Sequence, residues 1–182
     1  MKTGSAVKYV LRLSLTLLII TVVAAVSLAA VNKVTAPIIA QQQAEKTQKA
    51  IQAVLPGGGE KVDFTDATGT VVSVYQGEAG YAVEVAAQGF GGTITMMVGV
   101  DLKGNVLGIS VISQTETAGL GAVCGADNSA GEAFRGQFVG LAGDLAVTKD
   151  GGTVDAITGA TITSRAVTAG VHAALDCVEN LG

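Results

Sequence analysis

The feature that most constrains this chain is an uninterrupted run of 19 uncharged, mostly apolar residues from Leu13 to Val31, LSLTLLIITVVAAVSLAAV. As a helix the run would be about 28 Å long, which is close to the thickness of the hydrocarbon core of a bilayer. Three basic residues precede the run and only one follows it closely: Lys2, Lys8 and Arg12, then Lys33. The run therefore predicts a membrane-spanning helix.

The unequal basic flanks predict the orientation of that helix. Because Lys and Arg are enriched on the cytoplasmic side, residues 1–12 are predicted to be cytoplasmic. Residues 13–31 would then cross the cytoplasmic (inner) membrane once, and the remainder would lie on its outer, periplasmic side. A cleaved signal peptide is the alternative, since Ser27-Leu28-Ala29 has the small-x-small pattern of a cleavage site. The run is longer than a usual signal-peptide core, which favours a retained anchor, and no lipobox cysteine follows it.

After the apolar run, the composition of the sequence divides the rest of the chain into a helical segment and a globular domain. Ile39 to Leu55 is rich in the helix formers Gln, Ala and Lys and ends at Pro56-Gly57. We therefore expect residues 32–59 to form a helical stalk and linker. Residues 60–182 are expected to form the globular domain.

Within residues 60–182, several segments alternate between apolar and polar residues, as β-strands do. This alternation, with short loops between successive segments, predicts an antiparallel α+β domain with flanking helices. The predicted strands are Lys61–Thr65, Thr70–Gln76, Tyr81–Ala87, Thr93–Val100 and Val106–Ser113, with a hairpin turn at Asp101–Asn105. A long Gly-rich loop follows from Ser113 to Gly131. We then expect a short helix at Glu132–Val139, short strands at Ala146–Thr148 and Thr153–Ile157, and a final helix at Ser164–Val178.

Composition excludes several classes of function. The net charge is −4 without a basic stripe, which argues against a nucleic-acid partner. Two distant cysteines, Cys124 and Cys177, and one histidine supply no ligand set for zinc or an iron–sulfur cluster. Free buried thiols are the favoured interpretation of the two cysteines, and a disulfide is the alternative.

The segment Asp155 to Ser164, DAITGATITS, places hydroxyl residues around a glycine just before the final helix. Gly159 lets another group approach the backbone, and a helix start offers free N–H groups and a positive dipole end. These features suit a phosphate. The alternative interpretation is a structural one, in which Thr161, Thr163 or Ser164 simply caps the helix.

Asp155-Ala-Ile-Thr158-Gly159-Ala160-Thr161 resembles the D-x-x-[ST]-G-A-T motif of the FMN-binding domain family. The stretch from Gly89 to Gly121 is similar to that family's Gly-aromatic-Gly-Gly strand, hairpin and E-T-P-G-L-G loop. With one anchor ahead of the domain, the chain resembles the G subunits of Rnf electron-transport complexes. It also resembles their relatives, the C subunits of sodium-pumping NADH:quinone oxidoreductases.

The resemblance implies a covalent cofactor, FMN joined through a phosphoester bond to the hydroxyl of Thr161. A separate magnesium-dependent flavin transferase, with FAD as donor, would attach it. The residues implied to cradle the cofactor lie in the two motifs or just after them: Asp155, Thr158, Gly159, Ala160, Thr163, Ser164, Glu116, Thr117, Gly119, Leu120 and Gly121. Ala118 stands where the family usually has proline, and Gln114 where many members have histidine.

The function implied by the resemblance is electron transfer within an Rnf-type ion-translocating ferredoxin:NAD⁺ oxidoreductase. The chain would be an electron carrier that is not catalytic alone, with other subunits of the redox complex and the lipid bilayer as partners. Two alternatives remain open: a non-redox, membrane-anchored binding or assembly module, and a carrier subunit of a sodium-pumping NADH:quinone oxidoreductase.

Overall fold

The computed structural model describes residues 3–64 and 69–181, and it divides into two compact units, residues 1–45 and 46–182. Residues 1–45 contain most of one helix, α1, which runs from Thr3 to Val54 and has Pro37 in its interior. This helix is long and apolar enough to cross a membrane, and its leucine, isoleucine and valine side chains from Val10 to Ile39 are exposed. The predicted span and the predicted stalk helix are thus parts of one continuous helix.

Residues 46–182 are built on an antiparallel sheet, which confirms the predicted α+β fold class. Five strands are present in the described part of the domain: β1 Glu60–Val62, β2 Val71–Gly77, β3 Gly80–Gln88, β4 Thr93–Asp101 and β5 Val106–Ser113. They pair in chain order, each antiparallel to the next. The predicted end of the first strand, Thr65, lies outside the described residues.

The hairpin between β4 and β5 forms as predicted. The Asp101 carboxylate accepts the backbone N–H groups of Lys103 and Asn105, both at 2.8 Å, and thereby closes the turn. This turn fixes the pairing of β4 with β5, and so determines where the loop after β5 emerges from the sheet.

Helices and helical turns follow the sheet. They are a 3₁₀ turn at Gly121–Gly125, α2 at Ser129–Gly136, a second 3₁₀ turn at Thr148–Asp150, and α3 at Thr161–Glu179. Helix α2 begins before the predicted Glu132, because the Asn128 side chain accepts the Gly131 N–H at 2.9 Å and caps the helix there.

The predicted short strands at Ala146–Thr148 and Thr153–Ile157 are wrong. In this described segment only Val147 and Val154 pair, through one parallel bridge, and the residues between them turn back through the 3₁₀ turn. One isolated bridge does not make a strand, so the local sequence pattern was misleading here.

The two faces of the sheet bury separate cores. One face packs against α2 and α3 and includes Met96, Val98 and Val167. The opposite face includes Met97 and is covered by Ile51 and Leu55 at the end of α1 and just beyond it. Met96 and Met97 are both fully buried core side chains.

Because of this second core, the folded domain begins earlier in the chain than the sequence predicts. The compact unit begins at Lys46 rather than near Glu60, because Ala50, Ile51, Val54 and Leu55 are buried against the sheet. The last turns of the predicted stalk therefore belong to the domain.

Candidate functional site

The two motifs meet at a cleft of about 390 Å³ between the loop after β5 and the start of α3. The residues that line it are Phe90, Glu116, Thr117, Leu120, Gly121, Lys149, Gly159, Ala160, Thr161, Ile162 and Thr163. A cleft of this size lies in the range of ordinary small-molecule sites. The antiparallel pairing of β4 with β5 and the packing of α3 on the sheet bring these distant segments together.

Thr161 is the first residue of α3, and its hydroxyl does not cap the helix. The N-cap is Ala160, which makes no side-chain capping bond, so the alternative interpretation of this segment as a hydroxyl cap is wrong. The Thr161 Oγ1 instead accepts a hydrogen bond from Lys149 Nζ at 2.9 Å within the cleft. The hydroxyl is therefore directed toward the cleft and a cation, beside the free N–H groups of the helix start.

The turn before α3 is held from inside the domain by Ser164. This buried side chain accepts the Ile157 N–H at 2.9 Å and donates to the Ala160 carbonyl at 3.0 Å. Gly159 has φ +77°, a backbone conformation that L-residues with a side chain rarely adopt. Ser164 thus shapes the turn and does not line the cleft.

Glu116 is a buried carboxylate on the loop side of the cleft, and its oxygens are occupied by donors. Oε1 accepts a hydrogen bond from the Gly91 N–H at 2.7 Å, and Oε2 accepts one from the hydroxyl of Thr163. Burial works to raise the pKa of Glu116, but the hydrogen bonds from Thr163 and from backbone N–H groups outweigh it and lower that pKa below its ordinary value. The side chain is therefore an anion that joins three segments.

The same contact explains the glycine at position 121. A Cβ built there would lie 2.5 Å from both Glu116 Oε2 and Thr163 Oγ1. Only a residue without a side chain lets the loop pass this close to the Glu116–Thr163 hydrogen bond.

The cleft has two further features, a lysine and an apolar rim, and of their four residues only Leu120 was assigned to the site from the sequence. Lys149 lies twelve residues before Thr161, and nothing in that spacing connects the two residues in the sequence. Phe90, Leu120 and Ile162 form an apolar rim and are 69%, 43% and 50% exposed, respectively. Exposed apolar side chains grouped around a cleft are typical of a surface that a ligand covers.

Asp155 and Thr158, from the first half of the D-x-x-T-G-A-T motif, do not line the cleft that contains Thr161. Together with Gly119 from the loop after β5, they line a neighbouring cleft beside α2. The Asp155 backbone is held by Gln137, whose side-chain oxygen accepts the Asp155 N–H at 2.7 Å and whose amide donates to the Asp155 carbonyl at 3.2 Å. Asp155, six residues before Thr161 and predicted to cradle the cofactor, therefore does not line the cleft that contains Thr161.

Both cysteines are buried and no disulfide joins them, as the favoured interpretation predicted. Burial raises the pKa of the Cys124 thiol to about 11, with a further contribution from the charge of Glu116. Cys124 is therefore a protonated core side chain at neutral pH.

The arrangement suits a ligand with an anionic group at one end and a flat apolar ring system at the other. Thr161, Lys149 and the start of α3 can receive a phosphate. Phe90, Leu120 and Ile162 can contact a ring. FMN has both parts, so the residues present fit the cofactor that the motifs indicate.

Comparison with known proteins agrees with this assignment. Residues 89–176 match the model of the FMN-binding domain, and residues 1–54 match that of the RnfG N-terminal region. The cleft residues all lie within the first of these matches.

Similar proteins cover nearly the whole chain. The G subunit of the ion-translocating oxidoreductase complex of Methanosarcina acetivorans is 35% identical over 94% of this chain and 96% of its own length. The G subunit of the proton-translocating ferredoxin:NAD(+) oxidoreductase complex of Clostridium ljungdahlii is 35% identical over 86% and 84%, respectively. The Na(+)-translocating counterpart of Acetobacterium woodii is 33% identical over 96% and 94%. The chain therefore belongs to the family of G subunits of ion-translocating oxidoreductase complexes and contains an FMN-binding domain.

Proposed function

We propose that this chain is the membrane-anchored flavoprotein subunit of an Rnf-type ion-translocating ferredoxin:NAD⁺ oxidoreductase, with FMN bound as a phosphoester to Thr161. The observation that supports this most directly is the cleft itself. It is lined jointly by the E-T-x-G-L-G loop and the G-A-T turn, within residues that match the FMN-binding domain. When bound, FMN supplies one- and two-electron transfer, and the chain supplies position and environment.

The position of the Thr161 hydroxyl supports attachment at that residue. It lies in the cleft at the start of a 19-residue helix, and it is not used for capping. A threonine hydroxyl needs a base before it can act as a nucleophile. Glu116 is the acidic residue among the described residues lining the cleft, and Thr163 occupies it. We therefore assign activation to the flavin transferase, with Thr161 as the acceptor and FAD as the donor.

The α1 helix supports the membrane part of the proposal. Its length and apolar composition allow it to cross a bilayer. The basic flank favours a cytoplasmic N-terminus, with the FMN-binding domain on the outer side of the cytoplasmic membrane. A covalent bond would retain a small polar cofactor on that side, where dissociation would lose it.

The names of the relatives support a carrier role rather than independent catalysis. They are subunits of ion-translocating oxidoreductase complexes, and two of the names include ferredoxin and NAD(+). This chain has no nicotinamide-binding fingerprint in its sequence. It would exchange electrons with neighbouring subunits, and the isolated chain is expected to have no ferredoxin:NAD⁺ activity.

Intact mass tests the attachment. The full chain is expressed with and without an active flavin transferase, as wild type, as Thr161→Ala and as the control Thr153→Ala, an exposed threonine in the preceding turn. We expect a gain of FMN less one water for wild type and Thr153→Ala, only when the transferase is present. A chain that gains no mass while the transferase modifies another acceptor would favour the non-redox binding module.

A further inference from the structure

Lys149 is the one cation among the described residues that line the cleft. Its Nζ donates a 2.9 Å hydrogen bond to the oxygen of Thr161 that would carry the flavin. We propose that Lys149 is the residue that binds the phosphoryl group of the flavin in this cleft. The proposal rests on the proposed function for the location of the flavin, and it adds the group that holds the phosphate end.

The Lys149–Thr161 contact is not required to hold the turn in place. The neighbouring Asp150 already joins the same turn to α3 through two hydrogen bonds of 2.6 Å to Arg165, one turn after Thr161. The Val147–Val154 bridge closes the turn at its base. These contacts hold the turn in place without Lys149, and the Lys149 side chain lines the cleft.

The charge of Lys149 is available for a ligand. It forms no ion pair with an acidic group in the described part of the chain, and its neighbour Asp150 is paired with Arg165. Glu116, the acidic residue of the cleft, already accepts from Gly91 and Thr163. An ammonium without an acidic partner, next to the free N–H groups of a helix start, forms an anion site.

The geometry is compatible with the attached state as well as with free FMN. A phosphoryl group on Thr161 Oγ1 would have its remaining oxygens within reach of Nζ, since Nζ already lies at hydrogen-bond distance from Oγ1. A lysine ammonium has three donors and no lone pair. It can therefore hold a phosphate but cannot take the proton of the hydroxyl, which makes Lys149 a binding residue and not the base.

The proposal can be tested by comparing the binding of FMN, which has a phosphate, with that of riboflavin, which has none. No transferase is needed for this comparison. The full chain, expressed without the transferase and kept in detergent, is titrated with FMN and with riboflavin while flavin fluorescence is followed. Wild type is compared with Lys149→Gln, Lys149→Arg and the control Lys103→Gln, an exposed lysine in the β4–β5 turn. The measured quantity is the ratio of the two dissociation constants.

Wild type and Lys103→Gln are expected to prefer FMN over riboflavin. Lys149→Gln should reduce that preference by roughly three- to thirtyfold, with riboflavin binding unchanged, because the lost contact is a charge-assisted hydrogen bond from an exposed side chain. Lys149→Arg should retain most of the preference, and added salt should weaken it in wild type. A preference that survives in Lys149→Gln, is lost equally in Lys149→Arg, or is absent from wild type would overturn the proposal.

The flavin titration and the intact-mass experiment can fail independently of each other. If wild type gains no covalent flavin, Thr161 is not an acceptor, yet a Lys149-dependent preference for FMN would still place the phosphate at Lys149. If wild type is flavinylated but its preference for FMN does not depend on Lys149, the attachment site stands and the role of Lys149 is refuted.

Discussion

At the scale of single residues, Glu116 is the side chain that joins the segments of the site. Its carboxylate ties the glycine-rich segment after β3 to the loop after β5 and, through Thr163, to the start of α3. The ionised carboxylate matches these donors better than the protonated acid does, because protonation converts one of its acceptor oxygens into a donor. Removing it leaves the Gly91 N–H and the Thr163 hydroxyl without their partner.

The first prediction concerns pH. Because the folded-state pKa of Glu116 is lowered, its contribution to stability is present above its unfolded pKa and is lost as the pH falls through the folded value. Glu116→Gln should therefore destabilise the domain by about 1–2 kcal/mol at pH 7. The difference from wild type should shrink below a pH of about 4. Urea unfolding at a series of pH values measures it, and a pH-independent difference would contradict the prediction.

The second prediction concerns Thr161 in the absence of flavin. Since Ala160 and not Thr161 occupies the N-cap position, Thr161→Ala should change the free energy of unfolding by less than about 0.5 kcal/mol. Asn128→Ala provides the comparison, because Asn128 does cap α2 and its loss should cost about 1 kcal/mol. Equal losses for the two variants, compared by urea unfolding of the flavin-free chains, would mean that Thr161 has a structural role after all.

At the scale of elements, the site depends on how closely the loop at Gly121 approaches the first turn of α3. The glycine leaves the Glu116–Thr163 hydrogen bond undisturbed, and that bond sets the distance between the two walls of the cleft. Small changes at this contact should therefore affect both stability and cofactor uptake.

The third prediction follows from that contact. Gly121→Ala should destabilise the domain by about 1–3 kcal/mol, because the added methyl group displaces Glu116 or Thr163. It should also reduce the fraction of chain that acquires flavin. Gly136→Ala in α2, where a Cβ would meet nothing within 4 Å, is the matched control and should be neutral or slightly stabilising. Midpoints of urea unfolding distinguish the two, and similar midpoints would refute the steric argument.

At the scale of the whole molecule, the folded domain begins at Lys46, within α1, and not where the composition of the sequence changes. Ile51 and Leu55 cover one face of the sheet and share a core with Ala82, Met97 and Ile112. The final turns of α1 are therefore part of the core of the domain, although their composition is that of a polar stalk.

The fourth prediction is a comparison of two fragments. Residues 46–182 should fold and remain soluble without detergent, because the fragment retains both cores and lacks the exposed apolar part of α1. Residues 60–182 should aggregate or unfold at a lower temperature, since the second face of the sheet is then uncovered. Size-exclusion chromatography and thermal unfolding test this, and equal behaviour would show that residues 46–55 are dispensable.

The amino-acid sequence by itself determined the features that depend on local pattern. Period-two alternation located β2 to β5 to within about a residue, the charge-free run located the apolar helix, and DAITGAT with E-T-x-G-L-G indicated the family. These features are encoded by neighbouring residues, so spacing alone is enough to recognise them.

Only the tertiary structure decided which residues share the cleft. Lys149 reaches Thr161 through a turn anchored by Asp150, whereas Asp155, closer to Thr161 in sequence, lies on a different cleft. Met96 and Met97 likewise belong to different cores although they are adjacent. Such groupings arise from long-range packing of α3, the loops and the sheet, and contacts between distant segments leave no periodic signal in one sequence.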